Sequence, residues 1–428
     1  MEIPELYNLF IQSTGVTIDS RNVENNQLFF ALKGITSNGN RYAENAINSG
    51  AAYAIIDEYK YKKDNRFIVV DDVLSTLQQL SNFHLKQIQP KAVIAITGSN
   101  GKTTTKELVH AVLATTYKTH YTKGNLNNHI GIPITLLQMQ KGTEIAVIEM
   151  GANHLKEIES YCKYVEPTHG IITNCGKAHL EGFGGIVGIR KGKGELFDYL
   201  KTHKGIIFFN GDEDVLKEMI LERHIEHAIS YGNGKSNEYT SKIINENPFL
   251  KIQFEEVEIN ANLYGSYNYS NLMCAIAVGK YFNVLNDNIK NAIESYLPTN
   301  ARSQLIVQHG YHLILDAYNA NPSSMQHALE SFSKSTSQNK IVILGDMFEL
   351  GEYTEVEHQK IADLAVHLGF SKIILVGNAF NNTNTPSINI LKFKDTLETQ
   401  QWFVQQDFTN AEILLKGSRS MKMEKIIE

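Results

Sequence analysis

Five apolar residues in a row, Ala92-Val93-Ile94-Ala95-Ile96, run directly into Thr97-Gly98-Ser99-Asn100-Gly101-Lys102-Thr103-Thr104, and a helical pattern continues to Leu113. An unbroken apolar run of that length suits a parallel strand covered on both faces. The segment therefore predicts a buried strand, a glycine-containing turn and a helix whose N-terminus opens beyond the end of a sheet. Such a turn aims backbone N–H groups and the positive end of the helix dipole at an anion. Gly98 and Gly101 permit close backbone approach, with Ser99, Asn100 and Thr104 completing the turn. Lys102 can neutralise phosphate charge, and the Thr103 hydroxyl can join the coordination sphere of Mg²⁺. Ile96 stands five positions before Gly101, where the commoner phosphate loop has glycine, so this is a short variant. The competing reading is a plain Gly-Asn-Gly turn, and Lys-Thr-Thr after it favours nucleotide.

The chain around this segment is too long for one core. At 428 residues it predicts several domains. Up to Leu85, strand signals at Leu28–Leu32, Ala54–Ile56 and Phe67–Val70 precede a helical pattern from Val73, which suggests a small α/β domain. The polar stretch Lys86–Lys91, with Pro90, reads as a linker. After the phosphate loop, Ile145–Ile148, Gly170–Thr173 and Gly205–Phe209 repeat the buried-strand pattern. A helical pattern stops near Pro298, and a new series follows: His312–Leu315, Lys340–Leu344, Lys372–Val376 and Ala411–Leu415, with helices at Ser323–Phe332 and Glu355–Leu368. The expected fold is α/β in three domains. These are a small N-terminal α/β domain (1–87), a central P-loop ATPase-like parallel sheet domain (88–298) and a C-terminal Rossmann-like α/β domain (299–428).

Composition narrows the partners. A formal net charge of −6 gives no broad cationic field, so nucleic acid is not the expected partner. No apolar run approaches the roughly 18 residues of a membrane span, and the start lacks a basic-then-apolar leader, so no membrane insertion is expected. Three widely spaced cysteines fit neither a disulfide framework nor a zinc cluster, and a reducing, cytoplasmic setting is expected. Nothing such as a heptad run calls for a partner chain, and a monomer is expected.

Two further places carry candidate chemistry. Glu149 follows the buried run Ile145–Ile148, at the carboxyl end where open parallel sheets gather their ligands. Thr173-Asn174 ends the next strand, and His179 sits in the glycine-rich turn Gly176–Gly185 beyond it. Alone, Glu149 reads equally as a capping carboxylate and His179 as a loop histidine. Their shared placement after successive buried strands points to one cleft. Lys193, in Lys193-Gly194-Glu195, lies in a basic run with Arg190 and Lys191 that reads by itself as a solvated helix start.

Together these motifs resemble the Mur ligase family over nearly the whole chain. The likeness rests on Asp19-Ser20-Arg21, Phe29–Gly34, Thr97–Lys106, Gly124–Asn128, Glu149–Ala152, Ala178–Gly184 and Lys193-Gly194-Glu195. It continues through Asp316-Ala317-Tyr318-Asn319-Ala320-Asn321-Pro322, Leu344–Gly351, His358 and Lys416–Arg419. The two longer C-terminal motifs are similar to the branch that adds a dipeptide. The resemblance implies an ATP-dependent amide-bond-forming ligase with UDP-N-acetylmuramoyl tripeptide and D-alanyl-D-alanine as substrates and an acyl-phosphate intermediate. It implies that Lys102, Thr103 and Glu149 serve ATP and one Mg²⁺, while His179 and a carbamylated Lys193 serve a second. Carbamylation would replace an ammonium, which repels Mg²⁺, with anionic oxygen. Asn268 and Asn271 are implied near the adenine, Arg302, Asp316 and Asn319 at the nucleotide from the third domain, and Ser20 and Arg21 at the UDP-sugar. Tyr267 stands where the family has a histidine, and Lys191 where it commonly has arginine. A sister ligase adding the third amino acid and folylpolyglutamate synthetase share the same ATP chemistry, and a non-catalytic nucleotide switch shares the loop.

Overall fold

All six residues of Ala92–Thr97 are buried, as a strand covered on both faces requires. The computed structural model describes residues 1–298, 301–308 and 310–428. The boundary expected between Pro298 and Thr299 falls beside Thr299 and Asn300, which lie outside the described residues. The strands are β1 (Val16–Thr17), β2 (Leu28–Phe30), β3 (Tyr53–Ile56), β4 (Phe67–Val69), β5 (Ala92–Thr97), β6 (Thr119–Tyr121), β7 (Ile145–Glu149), β8 (His169–Ile172), β9 (Ile206–Asn210) and β10 (Ala228–Gly232). They continue with β11 (Tyr239–Thr240), β12 (Lys242–Asn245), β13 (Phe249–Phe254), β14 (Val257–Tyr264), β15 (Gln304–Gln308), β16 (Tyr311–Asp316), β17 (Lys340–Gly345), β18 (Lys372–Val376), β19 (Ile390–Phe393) and β20 (Glu412–Lys416). β5 to β11 form a seven-stranded sheet ordered β11-β10-β9-β8-β5-β7-β6. Among the described residues no helix is long and apolar enough to cross a membrane.

By contact density the chain divides into two units. The first comprises Met1–Ala95, Tyr117–Gly151 and Glu157–His169. Its N-terminal part is a four-stranded parallel sheet, β1-β2-β3-β4. The period of two sends Phe29, Ala54 and Ile56 to one face and Leu28, Phe30 and Ile55 to the other, and each face has its own core. Burying side chains of this size contributes roughly 1.5–3 kcal/mol each. The helix Val73–Ile88 covers the second face with Val73, Leu77 and Leu80. Asp72 caps it, accepting the Ser75 N–H at 2.6 Å. It ends where Gln89 turns left-handed before Pro90. The polar residues from Lys86, read from sequence as linker, are thus the last helical turn: Lys86 reaches outward to Glu166 at 2.8 Å while Leu85 faces in.

The second unit comprises Ile96–Thr116, Ala152–Lys156 and Gly170–Glu428. It contains an antiparallel sheet, β12-β13-β14, and a six-stranded sheet, β15-β16-β20-β17-β18-β19, parallel except for the β15 edge. Leu313, Leu315, Ile343, Ile374, Ile413 and Leu415 form one face of the larger core. Asp316, Gly345 and Lys416 end three adjacent strands of this sheet together, so their loops open at a common edge. His358 is structural: fully buried, it accepts the Met347 N–H at Nε2 (2.9 Å), which leaves Nδ1 to donate to Thr354 O (2.7 Å).

Candidate active site

Two glycines shape the phosphate loop. Gly98 and Gly101 have φ of 142° and 78°, in the region that disfavours a Cβ. Added Cβ atoms would strike Thr173 Oγ1 at Gly98 and Asn271 Oδ1 at Gly101. Gly101 caps the helix Lys102–Ala114, whose first-turn N–H groups have no intrahelical acceptor and face the turn. The end of β8 staples the loop in place. Asn174 O accepts the Ser99 N–H (3.0 Å), Asn174 Oδ1 accepts the Asn100 N–H (3.1 Å), and Thr173 Oγ1 donates to Asn100 O (2.6 Å). Ser99 Oγ also donates to Gly176 O at 2.7 Å. Lys102 folds back over the loop, its Nζ 2.6 Å from Gly98 O and 3.2 Å from Ser99 O, so its charge sits inside the cradle. Thr103 is buried behind it, and Thr104 is the third residue of the same helical turn.

Asn268 and Asn271 lie against the foot of that helix. Thr105 Oγ1 donates to Asn271 Oδ1 (3.0 Å), Asn271 Nδ2 to Asn268 Oδ1 (2.9 Å), and Asn268 Nδ2 to Tyr264 O (2.9 Å). The structure thus brings both asparagines to the phosphate loop and engages their amides in holding it. Tyr267 donates to or accepts from Ser303 Oγ at 2.7 Å, and burial with Asp316 nearby pushes its phenol well above the ordinary value.

The C-terminal candidates form a polar group at the strand ends. Asp316 accepts Lys416 Nζ at 2.5 Å and the Ser303 N–H at 3.3 Å. The Arg302 guanidinium lies 3.6 Å over the Tyr318 ring, and its buried Nε has no hydrogen-bond partner. Asn319 Oδ1 accepts the neighbouring Ala320 N–H. His179, left-handed at φ 55°, starts a short helix and bonds through Nδ1 to Glu349, whose carboxyl this contact holds below the usual range. Two residues earlier, Lys177 donates to Glu357 at 2.8 Å, and its N–H donates to Ser323 Oγ at 2.9 Å. Lys193 is 1% exposed, in the helix Ile186–Thr202, with Nζ 2.9 Å from Ala152 O and over the Phe183 ring. The solvated helix start expected from its charged neighbours therefore does not describe Lys193: the helix turns it inward while Arg190 pairs outward with Glu218 and Glu222.

In the first unit, Glu149 is 2% exposed at the end of β7. Asn127 Nδ2 donates to its Oε1 at 2.7 Å, and Thr122 Oγ1 accepts its N–H at 3.0 Å. Arg21 makes a fork to Asp19 (Nε–Oδ1 2.8 Å, Nη2–Oδ2 2.7 Å), and this contact draws the Asp19 carboxyl down to about 2. Ser20, half-buried, lies between them in the turn. Asn127, Asn174, Asn321, Ser323, Glu349 and Lys416 fall within the family motifs or at element ends but had no role of their own assigned from sequence, because their partners lie elsewhere along the chain.

Comparison with known proteins matches three family models: "Mur ligase family, catalytic domain" at residues 12–90, "Mur ligase middle domain" at 96–279, and "Mur ligase, glutamate ligase domain" at 301–411. Similar curated relatives include the UDP-N-acetylmuramoyl-tripeptide--D-alanyl-D-alanine ligases of Bacillus subtilis, 34% identical over 97% of this chain and 92% of that protein, and of Haemophilus influenzae, 32% identical over 97% and 93%. A crystal structure of MurF from Acinetobacter baumannii superposes with a TM-score of 0.86 at 29% identity, covering 96% of this chain and 92% of that one.

Proposed function

We infer from its membership of the Mur ligase family, to which this chain belongs, that it is an ATP-dependent ligase adding D-alanyl-D-alanine to UDP-N-acetylmuramoyl tripeptide in peptidoglycan precursor synthesis. The observation that carries the reading is the correspondence with ligases of that name over 97% of this chain. The geometry supplies the chemistry. A carboxylate is a poor electrophile and must be activated, and the glycine-shaped cradle with Lys102 inside it is built for the phosphoryl donor. In the proposed reaction the tripeptide's terminal carboxylate oxygen attacks the γ-phosphorus, ADP leaves, and the dipeptide amine then displaces phosphate from the acyl carbon.

Each candidate takes a role in this proposal. Lys102 and the first-turn N–H groups hold the phosphates, and Asn268 and Asn271 keep the turn from Gly101 to Thr105 in shape beneath the nucleotide. Arg302, Asp316 and Asn319 approach the nucleotide from the C-terminal segment. Ser20 and Arg21 meet the UDP-sugar, with Arg21 exchanging Asp19 for a phosphate. For Mg²⁺ the donor chemistry fits: Thr103 and Glu149 would offer oxygen to one ion, and an imidazole nitrogen of His179 with a carbamate oxygen on a carbamylated Lys193 would serve a second. Among the described residues no three of His, Cys, Asp and Glu converge on a cage, and Mg²⁺ that takes most of its ligands from phosphate and water requires none. The ions would neutralise charge on the phosphoryl oxygens. An ATP- and UDP-linked reaction belongs in the cytoplasm, and the chain is proposed to act there as a monomer.

Mass spectrometry of the products from purified protein, ATP, UDP-muramoyl tripeptide and D-alanyl-D-alanine tests the reading. ADP and the pentapeptide are expected. Turnover with a single amino acid or with glutamate on a folate, and none with the dipeptide, would assign the chain to a sister activity.

A further inference from the structure

The helix Pro322–Ser333 begins with a reciprocal cap. Asn321 Oδ1 accepts the Ser324 N–H at 3.0 Å, and Ser324 Oγ accepts the Asn321 N–H at 3.0 Å. This fixes which way the Asn321 amide faces. Its oxygen is turned to the helix, so Nδ2 points outward, and there it donates to Asn100 Oδ1, at the tip of the phosphate loop, at 2.7 Å. Asn321 is 5% exposed and Asn100 half-buried, so the bond is partly shielded from water. The backbone of Asn100 is already clamped by Thr173 and Asn174. Two residues on at the same helix start, Ser323 accepts the Lys177 N–H and packs against Gly176.

A cap needs only an acceptor, which serine, threonine or aspartate supplies as well as asparagine does. A side chain that accepts from its own helix and also donates to Asn100 requires the amide. We propose that Asn321 is a positioning residue for phosphoryl transfer, acting through Asn100: with the helix Pro322–Ser333 docked, it orients the Asn100 side chain at the tip of the phosphate loop. ATP bound without that bond then meets an Asn100 side chain left unoriented on a loop whose backbone is already shaped, which disfavours transfer to water. This rests on the ATP-ligase reading.

Asn321→Ser separates capping from donation, because serine caps but is too short to reach Asn100. The expected result is an unchanged Tm, a kcat for pentapeptide formation lowered about 10- to 100-fold, and an unchanged KM for D-alanyl-D-alanine. Asn100→Ala should reproduce the loss, and the double variant should be no slower than the slower single one. Wild-type kcat in Asn321→Ser, a loss that tracks a fall in Tm, or losses that multiply in the double variant would each overturn the proposal. Wild-type protein that forms no pentapeptide would instead overturn the ligase reading beneath it. Binding of a fluorescent ATP analogue then still compares the variants: equal affinity and equal ADP release in wild type and Asn321→Ser also counts against the coupling.

Discussion

The phosphate loop and the Asp19-Ser20-Arg21 turn are both short polar segments that follow a strand and both are assigned to a phosphate-bearing substrate, yet they are held in opposite ways. Around the loop, Ser99 and Asn100 are bonded through backbone or side chain to Thr173, Asn174, Gly176 and Asn321, and two glycines take angles that other residues avoid. In the turn, the Arg21 side chain is 85% exposed and bonded to a carboxylate two residues away. In the proposed function the loop would work with backbone, so its shape must exist before the ligand arrives. The turn would work with a side chain that can wait in water on a temporary partner. Preorganisation is therefore unequally divided between the two ends of the proposed chemistry.

The loop offers the largest effects. Lys102→Ala removes the charge within the cradle and is expected to lower kcat about a thousandfold. Tm should change little, since Lys102 is half-buried and its ammonium bonds carbonyls of its own loop. Gly98→Ala attacks the shape instead. Its Cβ collides with Thr173 at a φ of 142°, and a destabilisation of about 1–3 kcal/mol in urea unfolding, with loss of nucleotide binding, is expected. A fully stable, active Gly98→Ala enzyme would show that the loop is not held as tightly as its bonds imply, and the contrast with the turn would fail.

The same contrast explains what could be read from the sequence. β5, β7 and β17 carry unbroken apolar runs (Ala92–Ile96, Ile145–Ile148 and Ile341–Leu344) because both faces are covered, and the loop follows β5 with glycine, lysine and threonine in a spacing that one kind of chemistry explains. The antiparallel β12–β14 was not foreseen. Phe249–Phe254 alternates buried with partly covered or exposed residues instead of running apolar, and Lys242-Ile243-Ile244-Asn245, with no buried residue, leads into Asn247-Pro248, which reads as loop. The clamps of the site were hidden for another reason. Asn321 meets Asn100, and Glu349 meets His179, across 221 and 170 residues, so no local pattern could announce either pair. Ser20 and Arg21 were legible only through likeness to a family, since an exposed ion pair in a turn is what many surface turns contain.

The turn offers smaller effects on a different parameter. Arg21→Ala is expected to raise KM for the UDP-linked substrate about tenfold, leaving kcat, Tm and the KM for ATP unchanged, because a charge-assisted bond made equally in ground and transition states affects only binding. A fall in kcat would place Arg21 nearer the reacting atoms than the comparison allows.

The smallest effect is a titration. The fork from Arg21 holds the Asp19 carboxyl at about 2, against an ordinary value of 3.8. A carboxyl depressed on folding adds stability above the unfolded value, and that contribution disappears as pH falls from about 4 through about 2. Exposure and salt screening keep it small, so the sensitive readout is the carboxyl itself rather than Tm. Carbon-13 NMR of the Asp19 side chain should give a midpoint near 2 in the wild type. In Arg21→Ala it should return to the ordinary range, and saturating UDP-linked substrate should shift the wild-type midpoint the same way if Arg21 leaves Asp19 for a phosphate. A midpoint that substrate does not move would mean that Arg21 keeps its partner on binding, and the turn would then be as preorganised as the loop.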